Sequence, residues 1–320
     1  MGNAFFMDWE VSLMAWLQQT LSGFGMKVAQ LFSTIGGETI TLMVCVAVIF
    51  CWSKESGKRT ALTVLVASAW VPMVKNIALR LRPYMVHKEI QITQLPEADA
   101  APMDVLQQGY SFPSGHSAMA AGLYGGIARE AKKRWTLILA VVMTLMIGVS
   151  RFVVGAHYPT DVLTGWTLGL LAVGFGGLLV KKVSNENIRN LIVLATVLPG
   201  IFWCQSRDYF SALGGIIGLI LAVPYEKKYV NFQDTRRVPV MILRVLGAAV
   251  IYFGLNTLLK MPFSTEFLNS GTLGANLIRS LRYMILMFLI IGVYPHCFPA
   301  IDKLCGANRQ NGKETGNGSR

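Results

Sequence analysis

Three short blocks of residues carry the side chains that could do chemistry. They are Lys75 with Arg82-Pro83 seven residues later, Pro113-Ser114-Gly115-His116, and Ser150-Arg151 followed by His157 and Asp161. Together they supply two histidines, three cations and a carboxylate. Such a set suits phosphoryl transfer, because cations can hold an anion while one imidazole attacks and the other donates a proton.

The first block is predicted to end an apolar helix. Lys75 and Arg82 are two helical turns apart, so we expect both on one helix face, with Pro83 ending the helix. Arg82 could offer a planar fork to two anion oxygens, and Lys75 a point charge. Snorkelling toward lipid headgroups is the competing interpretation, and it suits Arg80 better than Lys75.

The second block is predicted to open a helix. Pro113 suits the first turn, and Ser114, Gly115 and His116 would then present free N–H groups, which bind anions at helix N-termini. Taken alone, these four residues more often mark a turn.

The third block joins two predicted helices. Arg151 ends one, while His157 precedes Pro159 and Asp161 falls in the first turn of the next. The carboxylate could accept the N–H of one imidazole nitrogen and leave the other as a nucleophile. Alternatively, Asp161 complements the helix dipole and His157 is an interfacial polar residue.

The composition predicts that lipid surrounds these elements. Of the 320 residues, 53% are hydrophobic and 14% are charged, whereas soluble domains carry about 25% charged residues. The net charge of +12 could suggest nucleic acid, but the basic residues form short clusters between apolar segments, without an aromatic platform. We therefore expect a membrane protein that binds no nucleic acid.

The apolar segments predict an all-α, polytopic transmembrane bundle of about nine spans. An amphipathic helix over Asp8–Phe32 precedes them and is expected at the membrane surface, or as a cap packed on the bundle. We expect an N-terminal segment 1–36, a catalytic core 37–181, additional spans 182–296 and a cytoplasmic tail 297–320, disordered after Asn308. The spans are Glu38–Trp52, Thr60–Leu81, Pro113–Ala128, Trp135–Val153, Pro159–Val180, Ile188–Cys204, Phe210–Tyr225, Val238–Leu259 and Ala275–Tyr294.

Charge in the loops predicts the orientation. Alternate loops and the tail carry basic clusters, such as Lys54-Lys58-Arg59 and Arg129-Lys132-Lys133-Arg134, whereas the loop at 84–112 is acidic. The positive-inside rule places the clusters and the C-terminus in the cytoplasm. All three blocks then face the extracytoplasmic side, in the plasma membrane.

The three blocks resemble the signature of type 2 phosphatidic acid phosphatases, the lipid phosphate phosphatase superfamily that includes vanadium haloperoxidases. The resemblance covers about Glu38 to Val180 and implies a six-helix core and a phosphatase without metal or other cofactor. It implies that His157 forms a phosphohistidine, that Asp161 orients it, and that His116 protonates the leaving alcohol and then activates water. The implied phosphate-binding residues are Lys75, Arg82, Ser114, Gly115 and Arg151.

The spans after Val180 are not explained by this signature. Arg207 and Asp208 are expected in an extracytoplasmic loop, and Arg279 and Arg282 in the last span. These charged residues could shape a lipid headgroup pocket, with Arg207 and Arg279 as the candidates, or pair with one another. The chain has a loose similarity to sphingoid-base phosphate phosphatases and to polyprenyl-diphosphate phosphatases, which does not decide the lipid substrate. The sequence does not decide the oligomeric state either. A flippase with an unused phosphate site is an alternative of another class, and vanadate-dependent halogenation is a remote third.

Overall fold

The computed structural model of the protein describes residues 2–95 and 100–306. Within them, helices and an isolated bridge between Asn3 and Arg80 make up the regular secondary structure, which confirms the all-α class. The predicted disorder after Asn308 lies outside these residues. The helices are α1 (Asp8–Thr20), α2 (Phe24–Ile35), α3 (Glu38–Cys51), α4 (Lys54–Ala78), α5 (Pro83–Val86), α6 (Val105–Gln108), α7 (Gly115–Ala131), α8 (Arg134–Val153), α9 (Pro159–Lys182), α10 (Glu186–Val197), α11 (Arg207–Tyr229), α12 (Val238–Leu258), α13 (Thr265–Asn269), α14 (Leu273–Phe288) and α15 (Phe298–Leu304).

Each of the nine predicted spans coincides with a helix, but fewer are long enough to cross a membrane alone. Six pass on length and apolar composition: α4, α8, α9, α11, α12 and the helical run Leu273–Leu304. α2 and α3, bent by 57°, give a seventh if they form one broken span. α7 has 17 residues and α10 has 12, which is short of the ~20 residues that a bilayer requires.

The N-terminal segment is two helices rather than the single one predicted, because Gly23 adopts a positive φ of 69° between α1 and α2. α1 buries Glu10, Val11 and Met14, so it forms the cap on the bundle. Its outer face exposes Trp16 to 58%. An aromatic side chain on that face also suits a membrane interface, and that location stays a prediction.

Close packing of α9 on α7 brings two of the sequence blocks together. A Cβ at Gly165 would overlap the carbonyl oxygen of Ser114, and one at Gly169 would overlap that of Ala118. The two glycines therefore let the helices approach backbone to backbone. Because these contacts lie near the start of both helices, His116 comes near the residues that precede Pro159.

The C-terminal helices pack directly on the core. α11 lies between α4 and α14, and a Cβ at Gly215 would press on Leu65 of α4. On its other side, a Cβ at Gly214 would overlap the carbonyl oxygen of Ser280 in α14. The extension after α9 is thus part of the same bundle rather than a separate appendage.

We expect Gly214→Ala to destabilise this packing. The new methyl group would meet backbone, which cannot rotate away, and overpacking of this kind costs about 1–3 kcal/mol. Gly174→Ala in α9 is the matched control, because nothing lies within 4 Å of its added Cβ. Thermal unfolding in detergent should give a lower midpoint for Gly214→Ala and an unchanged or higher one for the control, where alanine is the better helix former. Equal midpoints would contradict this packing.

Candidate active site

A cavity of about 510 Å³ opens where the three sequence blocks meet. We call it the catalytic cavity. Its volume is within the range of small-molecule sites. The predicted site residues that line it are Lys75, Arg82, Gly115, His116, Arg151, His157 and Arg207. Three others do not: Ser114 and Asp161 are fully buried behind the wall, and Arg279 is half-buried in α14.

Lys75 and Arg82 reach the cavity from different elements, which corrects the prediction of a shared helix face. α4 ends at Ala78, and Leu79 turns the chain with a φ of 54°. Arg82 is therefore extended and precedes α5. Since Pro83 restricts the residue before it, the helix had to end earlier than Arg82.

The guanidinium of Arg82 donates to backbone carbonyls, rather than keeping two donors for an anion as predicted. Its Nη2 donates to the carbonyl of Gln108 at 2.7 Å, its Nε to that of Gly109 at 2.9 Å, and its Nη1 to that of Ala156 at 2.9 Å. These bonds join two loops and fix the guanidinium 3.3 Å from His157 Nε2. Arg82 thus positions the imidazole and adds positive charge beside it.

Ser114 differs from its predicted role. It is the N-cap of α7, with its side chain accepting from the N–H of Ser117, and Pro113 lies outside the helix. The Ser114 N–H donates to the carbonyl of Asp161 at 2.9 Å. Because this amide already has an acceptor, it is not available to an anion. Gly115, the first helical residue, does line the cavity, so the helix N-terminus still faces it.

His157 stands between the carboxylate of Asp161, which the third block predicts as its partner, and the guanidinium of Arg82, which no block predicted beside it. Its Nδ1 is 3.5 Å from Asp161 Oδ2 and 3.5 Å from the Ser111 hydroxyl. Its Nε2 faces the Arg82 guanidinium, which can only donate. We therefore assign the proton to Nδ1 and the lone pair to Nε2, on the cavity side.

Asp161 is anchored by residues that the sequence analysis missed. Arg80 Nη1 donates to its Oδ1 at 2.7 Å, the Tyr158 N–H to its Oδ2 at 2.8 Å, and the Ser111 hydroxyl also donates to Oδ2. These partners immobilise the carboxylate behind His157.

The same network reaches the N-terminal cap. Arg80 is 1% exposed and donates to Glu10 Oε2 at 2.8 Å, while the Thr160 N–H donates to Glu10 Oε1 at 3.1 Å. The interpretation of Arg80 as a snorkelling side chain is therefore wrong. The acidic Glu10, next to Val11 in the amphipathic helix α1, was the signal in the sequence, but it did not indicate a partner.

Three groups in the catalytic cavity are left for an anion. Lys75 is 6% exposed, and neither it nor the His116 ring makes a hydrogen bond or ion pair to a described residue. Arg151 donates through Nη1 to Ser33, but its Nε, in a side chain that is 2% exposed, has no partner among those residues. Buried donors without acceptors are costly, so this arrangement fits an anionic ligand.

His157 lies in the loop between α8 and α9, and its surroundings lower its pKa well below the ordinary value. Burial is the main cause, followed by the positive charges of Arg82, Lys75 and Arg151. A lowered pKa keeps the imidazole neutral as the pH falls from 7 through about 6.5, the usual pKa of histidine. The neutral form of the imidazole is thus favoured at neutral pH.

We expect this titration to be visible by NMR. With ¹³C-labelled histidine, the Cε1 signal of His157 is the one that the spectrum of His157→Gln lacks. It should keep its neutral position as the pH falls through about 6.5, the midpoint of free histidine. Protonation must then occur only at lower pH. A His157 midpoint at or above about 6.5 would contradict the burial and the cation contacts.

The helices after α9 also contribute residues to the lining of the catalytic cavity. Arg207 begins α11, rather than lying in a loop, and donates through Nη2 to the carbonyl of Asn269 at 3.0 Å. Asp208 and Tyr283 line the same cavity, and Glu38 joins them from α3. Arg279 is not among the lining residues, so the structure brings only one of the two predicted headgroup arginines to the cavity.

Comparisons with known proteins agree with this geometry. Residues 57–186 match the PAP2 superfamily, and residues 210–307 match the transmembrane extension of PAP2 superfamily phosphatases. Together the two matches cover more than two thirds of the chain and include every sequence block. The second match and the apolar helices identify a multi-pass integral membrane protein.

Three relatives share parts of the chain. Phosphatidylglycerophosphatase B of Bacillus subtilis is 42% identical over 82 residues, which is 23% of this chain and 40% of the relative. Undecaprenyl-diphosphatase of Sulfolobus acidocaldarius is 28% identical over 138 residues, 43% of this chain and 62% of the relative. Lipid A 4'-phosphatase of Bacteroides thetaiotaomicron is 37% identical over 78 residues, which is 24% of this chain and 33% of the relative. Each match thus spans less than two thirds of the relative, and no solved structure matches the chain.

Proposed function

Since the chain belongs to the PAP2 superfamily, we propose that it is a metal-independent phosphatase of a membrane lipid phosphate or diphosphate. The observation that carries this proposal is that His157 lines one cavity together with Lys75, His116 and Arg151, whose donors are not all used by described residues. The three relatives are named for phosphate release from lipids, which supports the same chemistry here.

The proposed reaction has two steps. His157 Nε2 attacks the terminal phosphorus, and its P–O bond to the lipid alcohol, or to the lipid monophosphate of a diphosphate, breaks. Protonated His116 delivers a proton to the leaving oxygen. Neutral His116 then takes a proton from water, whose oxygen attacks the phosphohistidine and releases inorganic phosphate and His157. Lys75, Arg151 and the N-terminus of α7 stabilise the negative charge of the transferring group, and Asp161 stabilises the charged imidazole.

We place the reaction at the outer leaflet of the plasma membrane. The catalytic cavity and the basic clusters lie at opposite ends of α4, since Lys75 is near its end and Lys58 is in its first turns. The positive-inside rule assigns the basic end to the cytoplasm and supports an extracytoplasmic cavity.

The test is phosphate release by the purified full-length chain in EDTA. The substrates are phosphatidic acid, a sphingoid-base phosphate, phosphatidylglycerol phosphate and undecaprenyl diphosphate, each in mixed micelles. Turnover of at least one of them without added metal is expected. No release from any substrate would contradict the phosphatase, and release that depends on a divalent ion would contradict the metal-independent mechanism.

We also propose that Arg207 contacts the lipid headgroup. Arg207→Gln should raise KM for the preferred substrate by about tenfold, because one charge-assisted hydrogen bond is worth about 1.5–3 kcal/mol, and leave kcat nearly unchanged. Arg279→Gln is the matched control, since that side chain does not line the cavity. Equal effects of the two substitutions on KM would contradict the headgroup contact.

A further inference from the structure

A second cavity, of about 260 Å³, lies at the other end of the bundle. We call it the basic cavity. α4 lines it with Lys58 near its start, whereas it lines the catalytic cavity with Lys75 near its end. α11 shows the reverse order, with Arg207 at its start in the catalytic cavity and Lys227 at its end in the basic cavity. The two cavities therefore face opposite membrane surfaces.

The rim of the basic cavity is positively charged. Its cations are Lys58, Arg59, Arg129, Arg189 and Lys227, against the carboxylates of Glu55 and Glu186. Part of this charge is already paired, since Lys58 binds Glu226 at 2.8 Å and Arg59 and Arg129 both bind Glu130.

Two of the rim cations, Arg189 and Lys227, are not neutralised by an ion pair with a described residue. Arg189 donates to the carbonyl of Val183 at 3.1 Å, and neither Arg189 nor Lys227 forms an ion pair with a carboxylate in the described part of the chain. They approach the cavity from different helices, α10 and α11. The rim can thus accept an anion between two helices.

The interior of the basic cavity is apolar. Phe175 of α9, Val193 of α10, and Leu219 and Ile220 of α11 line it beneath the cations. α10, which supplies Val193, has 12 residues, fewer than α9 with 24 and α11 with 23. A charged rim above an apolar interior is complementary to a molecule with an anionic head and a hydrocarbon tail.

We propose that the basic cavity binds an anionic phospholipid from the leaflet opposite the catalytic cavity. The lipid phosphate contacts Arg189 and Lys227, and one acyl chain lies along Phe175 and Ile220. This site is separate from the proposed reaction, because none of these four residues lines the catalytic cavity.

Photocrosslinking of the full-length chain tests this site. The probe is phosphatidylglycerol with a diazirine on one acyl chain, in phosphatidylcholine nanodiscs, and labelled peptides are identified by mass spectrometry. We expect labelling of the peptides that contain Phe175 and Ile220. Unlabelled phosphatidylglycerol should compete, whereas inorganic phosphate should not. Competition by phosphate alone, or equal labelling by a phosphatidylcholine probe, would overturn the anionic lipid site.

Charge-matched variants separate this site from general attraction to the membrane. Arg189→Gln with Lys227→Gln should lower labelling by at least about tenfold. The control, Lys181→Gln with Lys182→Gln, removes equal charge from exposed side chains at the end of α9, outside the cavity. It should not lower labelling. Ile220→Trp should also block labelling, because it fills the interior while keeping both cations. Unchanged labelling in the first or the third variant would overturn the proposal.

Discussion

Replacing His157 with alanine is expected to lower phosphate release by at least about 10³-fold, since a step without its nucleophile keeps only the binding contribution. The side chain is 2% exposed, lines the catalytic cavity and has its Nε2 3.3 Å from Arg82 Nη1. The variant should still unfold cooperatively, because the Arg80–Asp161 ion pair and the Arg82 contacts to Gln108 and Gly109 do not use the imidazole. The measurement is the initial rate of phosphate release in detergent.

The control and the intermediate make this result specific. His296→Ala removes an exposed histidine far along the chain, in the segment after α14, and should leave the rate unchanged. Wild-type protein quenched during turnover of ³²P-labelled substrate should carry acid-labile, alkali-stable label, and His157→Ala should carry none. Full activity of His157→Ala would contradict the nucleophile. Lipid translocation that persists in this variant without hydrolysis would favour the flippase alternative.

Replacing Arg80 with methionine is expected to have the largest effect on stability. The guanidinium binds the carboxylates of Glu10 and Asp161 at 2.8 and 2.7 Å, and both are 0% exposed. Removing one partner of a buried ion pair leaves uncompensated charge and costs about 3–5 kcal/mol. Activity should fall as well, because Asp161 loses the donor that holds it behind His157. Thermal unfolding and phosphate release measure the two effects.

Two further variants distinguish the loss of the Arg80 ion pairs from the general effect of removing an arginine. Arg134→Met changes an exposed arginine at the start of α8 and should alter neither the unfolding midpoint nor the rate. The double variant Glu10→Gln/Arg80→Met should lose less free energy of unfolding than the two single variants lose together, because the two side chains interact directly. Additive effects would contradict the coupling of the N-terminal cap to the active site.

Local chemistry made much of the site predictable. His157, Pro159 and Asp161 are close in sequence, and a helix that begins at proline places its third residue back toward the preceding loop. The close packing of α9 on α7 has an equally local cause, because the missing side chains of Gly165 and Gly169 allow it.

Predictions that depended on an exact helix end failed. Extending α4 to Arg82 put two cations on one face, but the chain leaves the helix at Leu79. Treating Pro113 as helical left the Ser114 amide free, whereas the helix begins at Gly115 and that amide bonds Asp161. The end of a helix can shift by a few residues when tertiary contacts compensate for the lost intrahelical hydrogen bonds.

The amino-acid sequence alone determined an all-helical membrane protein and the residue types that meet at its catalytic cavity, because apolar run length and short motifs are local properties. Tertiary structure decided which partners complete them. Glu10 reaches Arg80 across 70 residues and Arg207 enters the cavity wall from the extension. Such contacts depend on how helices distant in sequence pack together, and a buried charge accepts whichever partner the fold brings within hydrogen-bonding distance.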